Sequence, residues 1–200
     1  MQDFHFTTIS VPGENIYREK GSRFVAYALP IKSEAEVKQH LIDFRNQHPD
    51  AVHVCYAYLL KKDKGEGRSS DDGEPAGTAG KPILNQILSS GSEDVLVAVV
   101  RYYGGIKLGT GGLIQAYKTS AKDALLVAET ITVELRETMT VIFPFPLEGK
   151  MNSLVKKYKM EIGHREFTHQ CQWELFIPLS VIKEANEELN SVHGLEITTT

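Results

Sequence analysis

The stretch RYYGGIKLGTGGL, Arg101 to Leu113, decides the fold of this chain. It follows an apolar run at 95–100 that is typical of a buried strand, and an amphipathic pattern continues from it to about Ala128. The sequence therefore predicts a strand, a glycine-rich turn and a helix in direct succession. Such a junction gathers backbone N–H groups and cationic side chains where an anion can bind. The same glycines are also expected wherever a tight turn packs against a helix.

The residues of this junction are suited to holding an anion. Two cations add charge, the glycines allow close backbone approach, and Thr110 is expected to cap the helix. Of the neighbouring Tyr102 and Tyr103, one is expected in the core and the other available to stack on a base. The spacing fits neither G-x-G-x-x-G nor G-x-x-x-x-G-K-[ST]. The predicted anion- or nucleic-acid-binding residues are Arg101, Tyr102, Tyr103, Lys107, Gly109, Thr110, Gly111, Gly112 and Lys81.

A second candidate is the acidic segment SDDGEPAGTAGKP at 70–82. It ends a stretch, 61–80, that has almost no large apolar residue and is predicted to be a loop. The carboxylates of Asp71, Asp72 and Glu74 could bind a hard cation or a protein partner. Asp-Gly and Glu-Pro are also turn sequences, so a structural role is the alternative. Neither this loop nor the histidines have a known metal-binding spacing, and the sequence predicts no metal ion and no cofactor.

The remaining patterns predict a mixed α+β protein with a domain boundary near 130–137, giving domains 1–132 and 137–200. In the first domain a helix starts at Ser33 with a capping box, another starts at Pro82, and the segment 12–15 reads as a turn. The predicted strands there are 6–11, 15–19, 22–30 and 52–60. The second domain has the order βαββαβ of a ferredoxin-like domain, with Ser180 expected to cap its last helix.

Composition restricts the class of partner. The 200 residues have a formal net charge of −4, so nucleic-acid binding must depend on a local cluster of cations. No apolar run is long enough to span a bilayer, and the first ten residues do not resemble a secretion signal. We therefore expect a cytoplasmic protein, with a monomer favoured and no membrane partner. Cys55 and Cys171 are expected to be reduced, buried and unreactive.

Three segments together resemble one known family. They are HPDAVHVCYAY at 48–58, SDDGEPAGTAGKP at 70–82 and VVRYYGGIKLGTGGLIQAY at 99–117, and they resemble the IMPACT family in its bacterial, YigZ-like branch. The resemblance implies a two-layer α/β N-terminal domain similar to the second domain of a small-subunit ribosomal protein. It also implies a C-terminal domain similar to the fifth domain of elongation factor G. Eukaryotic relatives modulate translation during amino-acid starvation.

The leading functional prediction is a non-enzymatic regulator associated with translation. It would bind RNA, or a ribosome- or translation-factor partner, through the glycine-rich turn. One alternative is a metal-dependent hydrolase or peptidase-like enzyme that uses the acidic loop. Some family members have carried a peptidase label, but the sequence shows no metal-ligand set or nucleophile that supports it. The other alternative is a protein-interaction module without a nucleic-acid role.

Overall fold

A computed structural model describes residues 4–61 and 66–199. The chain forms two compact units. One is Thr7–Thr132, and the other is the chain from Val133 onward together with residues 4–6, which we expected in the N-terminal domain. A separate two-stranded sheet is formed by β1 (His5–Val11) and β7 (Glu129–Glu134). No helix within the described ranges is long and apolar enough to cross a membrane.

The first unit is built on a five-stranded sheet in which every neighbouring pair of strands is antiparallel. Strand β6 lies at its centre, and all its residues from 95 to 100 are fully buried, as the apolar run predicts. In sheet order the strands are β2 (Gly13–Glu19), β3 (Ser22–Pro30), β6 (Val95–Tyr102), β4 (His53–Leu59) and β5 (Arg68–Ser70).

Helices cover both faces of this sheet. On one face, α1 (Glu34–Gln47) packs Phe44 against the strands, and on the other lie α2 (Gly80–Ser90) and α3 (Gly109–Val127). The expectation of a two-layer domain is therefore wrong, because the unit has three layers. The physical reason lies in β6, where successive residues such as Val99 and Val100 join apolar clusters on opposite faces of the sheet. Each of these apolar faces needs a layer of helices to cover it.

Several local predictions are confirmed and others are corrected. Ser33 caps α1 by accepting the Glu36 N–H at 3.3 Å. The segment 12–15 is not a turn, since β2 begins at Gly13. A Cβ atom on Gly13 would lie 2.1 Å from the Ala124 carbonyl oxygen, so this glycine allows β2 to approach α3 closely. The predicted 61–80 loop contains β5, while its residues 62–65 lie outside the described residues.

The second unit has the predicted element order βαββαβ. Its strands form an antiparallel sheet in the order β11-β8-β10-β9, and Trp173 and Cys171 are fully buried in its core. Ser180 does not cap the last helix: its hydroxyl donates to Glu134 at 3.1 Å, and the helix has no side-chain cap. The elements are β8 (Arg136–Phe143), α4 (Glu148–Lys157), β9 (Glu161–Phe167), β10 (Cys171–Pro178), α5 (Ile182–Asn190) and β11 (Glu196–Thr199).

Candidate functional site

The acidic loop and the glycine-rich turn come together around a cavity of about 500 Å³ in the first unit. The turn reverses direction after β6 with positive φ angles at Gly105 (84°) and Gly109 (71°), a conformation that glycine adopts without strain. The cavity is lined by Glu74, Pro75, Arg101, Tyr103, Lys107, Leu108, Gly109, Thr110 and Leu113. The two motifs that the sequence singled out thus form one concave surface.

A buried ion pair occupies one wall of this cavity. Arg101 is only 6% exposed, and its Nη1 donates to Glu74 Oε1 at 2.5 Å. We expected Arg101 to contact a bound anion; in the structure most of its charge is compensated by a carboxylate that is itself 8% exposed. The Nε atom of Arg101 is buried and has no hydrogen-bond partner. A buried donor without a partner is costly, which makes this atom a feature that needs explaining.

Behind the ion pair lies a chain of neutral hydrogen-bond donors. The Cys55 thiol has two oxygens within reach of its one proton, the Asp71 backbone carbonyl at 3.0 Å and the Tyr117 hydroxyl at 3.3 Å. The Tyr117 hydroxyl in turn donates to Glu74 Oε1 at 2.7 Å. Burial, with the nearby negative charge of Glu74, raises the pKa of the Cys55 thiol and of the Tyr117 hydroxyl far above their usual values. Both groups therefore stay protonated at neutral pH.

The histidine nearest to this cluster is held by the acidic loop. His53 Nδ1 donates to the backbone carbonyl of Asp72 at 2.7 Å, which fixes the ring. Its Nε2 then lies 4.0 Å from Glu74 Oε1, and Glu74 thus has three polar neighbours around one oxygen.

Asp71 has a structural role at the start of α2. Its carboxylate accepts three backbone N–H groups, from Gly77, Ala79 and Gly80, at 2.8–2.9 Å. Burial would raise the pKa of this carboxyl, but the three hydrogen bonds outweigh it and hold the pKa below its usual value. These bonds satisfy N–H groups that a helix start leaves without partners.

Asp72 faces away from the cavity. Its side chain pairs with Arg45 and accepts the Val54 N–H at 2.5 Å, close to where β4 begins. The three loop carboxylates thus have three separate sets of partners. Among the described residues no group of three or more histidine, cysteine or acidic side chains is arranged to hold a metal ion.

The two tyrosines of the turn differ in environment, as the sequence predicts. The Tyr102 hydroxyl lies 2.7 Å from His48 Nδ1, and the Arg23 guanidinium lies 4.1 Å from its ring centre. These contacts hold Tyr102 on the face of the sheet that α1 covers. Tyr103 follows the end of β6, is 48% exposed and lines the cavity. Only Tyr103 is therefore available to stack on a bound group.

Helix α3 starts at the cavity without a side-chain cap. Leu108 is the N-cap residue, and Thr110 lies in the first turn, so the predicted capping role of Thr110 is wrong. The first turn has no acidic residue, and exposed Lys107 precedes it. The backbone N–H groups of this turn therefore have no side-chain partner and carry the positive end of a 19-residue helix dipole.

Four of the predicted anion- or nucleic-acid-binding residues do not line the cavity: Tyr102, described above, Gly111, Gly112 and Lys81. Gly111 and Gly112 lie in the first turn of α3, and a Cβ atom on Gly112 would come within 3.1 Å of the Leu108 side chain. Lys81 is exposed in the first turn of α2, where Asp71 already satisfies the N–H groups.

The sequence reasoning missed Tyr117 and His53 as partners of Glu74. Tyr117 was recognisable as an inward-facing helical residue, and a buried tyrosine hydroxyl usually needs a hydrogen-bond partner. That rule indicates the need for an acceptor but does not identify Glu74, which lies 43 positions earlier in the chain.

Comparison with known proteins agrees with the motifs. Residues 20–125 match the family described as the Impact N-terminal domain. An IMPACT family member from Haemophilus influenzae is 36% identical over 173 residues, covering 85% of this chain and 84% of that protein. The IMPACT family member YigZ from Escherichia coli is 45% identical over 108 residues, which is 53% of each chain.

A solved structure supports the fold along nearly the whole chain. It is described as a crystal structure of a hypothetical protein, and its TM-score to this chain is 0.75 at 29% sequence identity. The match covers 99% of this chain and 98% of that one. With the Impact N-terminal domain matched over more than half of its residues and YigZ among its relatives, this chain belongs to the IMPACT family.

Proposed function

We propose that this protein is a non-enzymatic, translation-associated binding protein that holds a phosphate of RNA at the start of α3. The observation that carries the proposal is the uncapped N-terminus of α3, which opens on the same cavity as Arg101 and Lys107. Membership of the IMPACT family supports the link to translation that the resemblance implies.

The physical basis is the combination of helix dipole, free N–H groups and local positive charge. An anion at a helix N-terminus accepts several backbone hydrogen bonds at once and interacts favourably with the dipole. Lys107 adds an exposed cation to the lining of the cavity, while the Arg101 guanidinium, although paired with Glu74, adds donors to its wall. Tyr103 offers an exposed ring on which a base can stack.

The net charge of −4 defines how such binding should behave. A protein without a general excess of cations is not expected to hold long nucleic acids through many phosphates. One or two phosphates held in the cavity would give a shallow salt dependence, with a slope of log affinity against log salt of about −0.7 for each phosphate of a single strand. Single-stranded RNA is therefore the favoured ligand over a duplex.

The two alternatives receive less support from the same residues. A metal-dependent hydrolase needs carboxylates that are free to bind the ion, whereas Asp71, Asp72 and Glu74 are each engaged by protein partners. A protein-interaction module would differ from the proposed function in having no affinity for isolated RNA. In the proposal the protein acts as a cytoplasmic monomer.

We also propose that each of the two units resembles a domain of the translation machinery. The sheet order β11-β8-β10-β9 with two helices supports a ferredoxin-like C-terminal domain similar to the fifth domain of elongation factor G. The resemblance of the first unit to the second domain of a small-subunit ribosomal protein points to the same machinery.

The test is binding of a fluorescent single-stranded RNA 12-mer across a salt series, together with co-sedimentation with ribosomes. Lys107→Ala should weaken RNA binding and make the salt slope shallower by about 0.7, the contribution of one single-strand phosphate. Lys118→Ala, at an exposed lysine of the same helix that does not line the cavity, is the matched control and should leave both unchanged.

Two results would overturn the proposal. One is the absence of RNA affinity at low salt, and the other is an equal effect of the two lysine variants. If the protein lacked RNA affinity but sedimented with ribosomes independently of salt, the protein-interaction module would be favoured instead.

A further inference from the structure

The buried wall of the cavity has unused hydrogen-bonding capacity of two kinds. Glu74 receives both of its hydrogen bonds on Oε1, and no bond to Oε2 is found within the described part of the chain. Arg101 is bonded through Nη1 and keeps Nε unpaired and buried. Both residues line the cavity, so the unused acceptor and the unpaired donor belong to two neighbouring side chains of one wall.

We infer that the cavity selects a ribonucleotide, with Glu74 accepting a hydrogen bond from the ribose 2′-hydroxyl while the phosphate lies at the start of α3. This inference rests on the function proposed above and adds selection of the sugar to it. A carboxylate only accepts hydrogen bonds, so the ligand must present a donor close to its anionic group. A ribose hydroxyl is such a donor, and the 2′-hydroxyl distinguishes RNA from DNA.

The dimensions and surface of the cavity agree with one nucleotide. A volume of about 500 Å³ falls within the range of roughly 300–1,000 Å³ that is usual for small-ligand sites. Its exposed aromatic residue, Tyr103, suits the flat face of a base, and its cations suit the phosphate. The buried Arg101 neutralises much of the Glu74 charge, so the carboxylate does not repel the phosphate as a free anion would.

The Arg101 Nε atom adds a second reason for a polar ligand. It is enclosed by protein and unpaired, although the guanidinium belongs to the cavity wall. A hydroxyl is both a donor and an acceptor, so a ribose oxygen bonded to Glu74 can accept from the guanidinium after a small shift of the side chain. A single ligand group would thus satisfy both unused positions, which an apolar ligand or an anion without an O–H donor, such as sulfate, does not do.

The test compares three 12-mers of the same base on the unaltered protein: oligo-uridine as RNA, oligo-deoxyuridine and 2′-O-methyl oligo-uridine. The RNA should bind roughly tenfold more tightly than the DNA, as expected for one hydrogen bond to a charged group. The 2′-O-methyl oligomer should bind like the DNA, because methylation removes the donor. Since the base is constant, a preference that arises from a base amino group cannot produce this difference.

Equal affinity for all three oligomers would overturn the inference and leave the proposed phosphate site standing. Binding to none of them would overturn the proposed function itself. Tight binding of the 2′-O-methyl oligomer together with weak binding of the DNA would also overturn the inference, since it would show selection of sugar shape and not of the hydroxyl donor.

A variant of Glu74 tests the predicted hydrogen bond to the 2′-hydroxyl independently. Glu74→Gln replaces a charge-assisted hydrogen bond by a neutral one, so the ratio of RNA to DNA affinity should fall several-fold toward one. Asp50→Asn makes the same chemical change at an exposed turn and should keep the ratio. Thermal unfolding of Glu74→Gln shows whether it folds, and if it does not, the comparison of oligomers on the unaltered protein decides.

Discussion

Glu74 and Arg101 form an ion pair on the wall of the cavity, with Oε1 and Nη1 2.5 Å apart and both side chains more than nine-tenths buried. The pair ties the acidic loop to the end of β6, and Tyr117 joins it from α3. Removing one partner from a buried pair leaves an uncompensated charge, which costs far more than removing the pair as a whole. Three segments of the first unit therefore depend on one carboxylate.

Replacing Arg101 by methionine should lower the free energy of unfolding by about 3–5 kcal/mol, because the Glu74 carboxylate is left buried without its cation. In the double variant Glu74→Gln/Arg101→Met the charge is gone as well, so part of the lost stability should return. Urea denaturation of the two single variants and the double variant measures this coupling. Additive losses would show that the two side chains do not interact.

Replacing Asp71 by alanine should destabilise the start of α2 by about 1–2 kcal/mol, since three backbone N–H groups lose their acceptor. Its folded-state pKa is lowered, so the carboxylate contributes stability above its unfolded pKa of about 3.9. That contribution is lost as the pH falls through the folded-state pKa. Asp71→Asn should therefore flatten the acid limb of the stability curve, whereas Asp50→Asn should not; identical acid limbs in both variants would contradict the role of Asp71.

His48 should make the first unit less stable in mild acid. Its Nε2 lies 3.0 Å from the Tyr27 hydroxyl, and burial together with the Arg23 charge lowers the pKa of the ring. The neutral ring therefore stabilises the fold above its unfolded pKa of about 6.5, and this contribution is lost as the pH falls through the lower folded-state value.

Thermal unfolding between pH 7.5 and pH 5 checks this expectation. His48→Gln should weaken the pH dependence of the melting temperature, and replacement of the exposed His193 serves as the control. If both variants kept the full slope, the titrating group would be elsewhere.

The glycines of the turn should differ sharply in their tolerance of alanine. A Cβ atom on Gly104 would lie 1.9 Å from the carbonyl carbon of Gly21, so Gly104→Ala should cost roughly 1–3 kcal/mol or more. Gly111 lies in the first turn of α3 with nothing within 4 Å of its Cβ position, so Gly111→Ala should be neutral or stabilise by up to about 1 kcal/mol. Urea denaturation of the two variants measures the change in stability, and an equal loss of stability in both would contradict the predicted difference.

Several features that depend on residues close together in the sequence were predicted correctly. The burial of β6 follows from its apolar run, and the cap at Ser33 follows from the residues beside it. The number of layers was mistaken although β6 indicated it, since a strand that is apolar on both faces needs cover on both. Strand β5 was missed because its three residues, RSS, include no apolar residue. Strand β7, ETITVE, alternates Ile131 and Val133 with polar residues, so its pattern was present and was overlooked.

Residues of both motifs line one cavity, and the contacts around that cavity were only partly predicted from the sequence. Both motifs were identified, yet the sequence predicted Arg101 only as a contact for a bound anion, without its buried partner, and Thr110 as a cap. The partner of Arg101 is 27 positions away, and no local pattern reports a hydrogen bond across that separation. The role of Thr110 depended on where α3 begins, and helix ends are the least certain part of such a prediction.

The two cysteines are buried, one in each unit, and burial raises the pKa of both thiols. The reactive species of a cysteine is the thiolate, so neither thiol should react with an added reagent while the unit that contains it stays folded. The chain has two cysteines in total, and each can therefore serve as an internal reporter. The rates at which Cys55 and Cys171 are labelled would measure the opening free energies of the two units separately within one molecule.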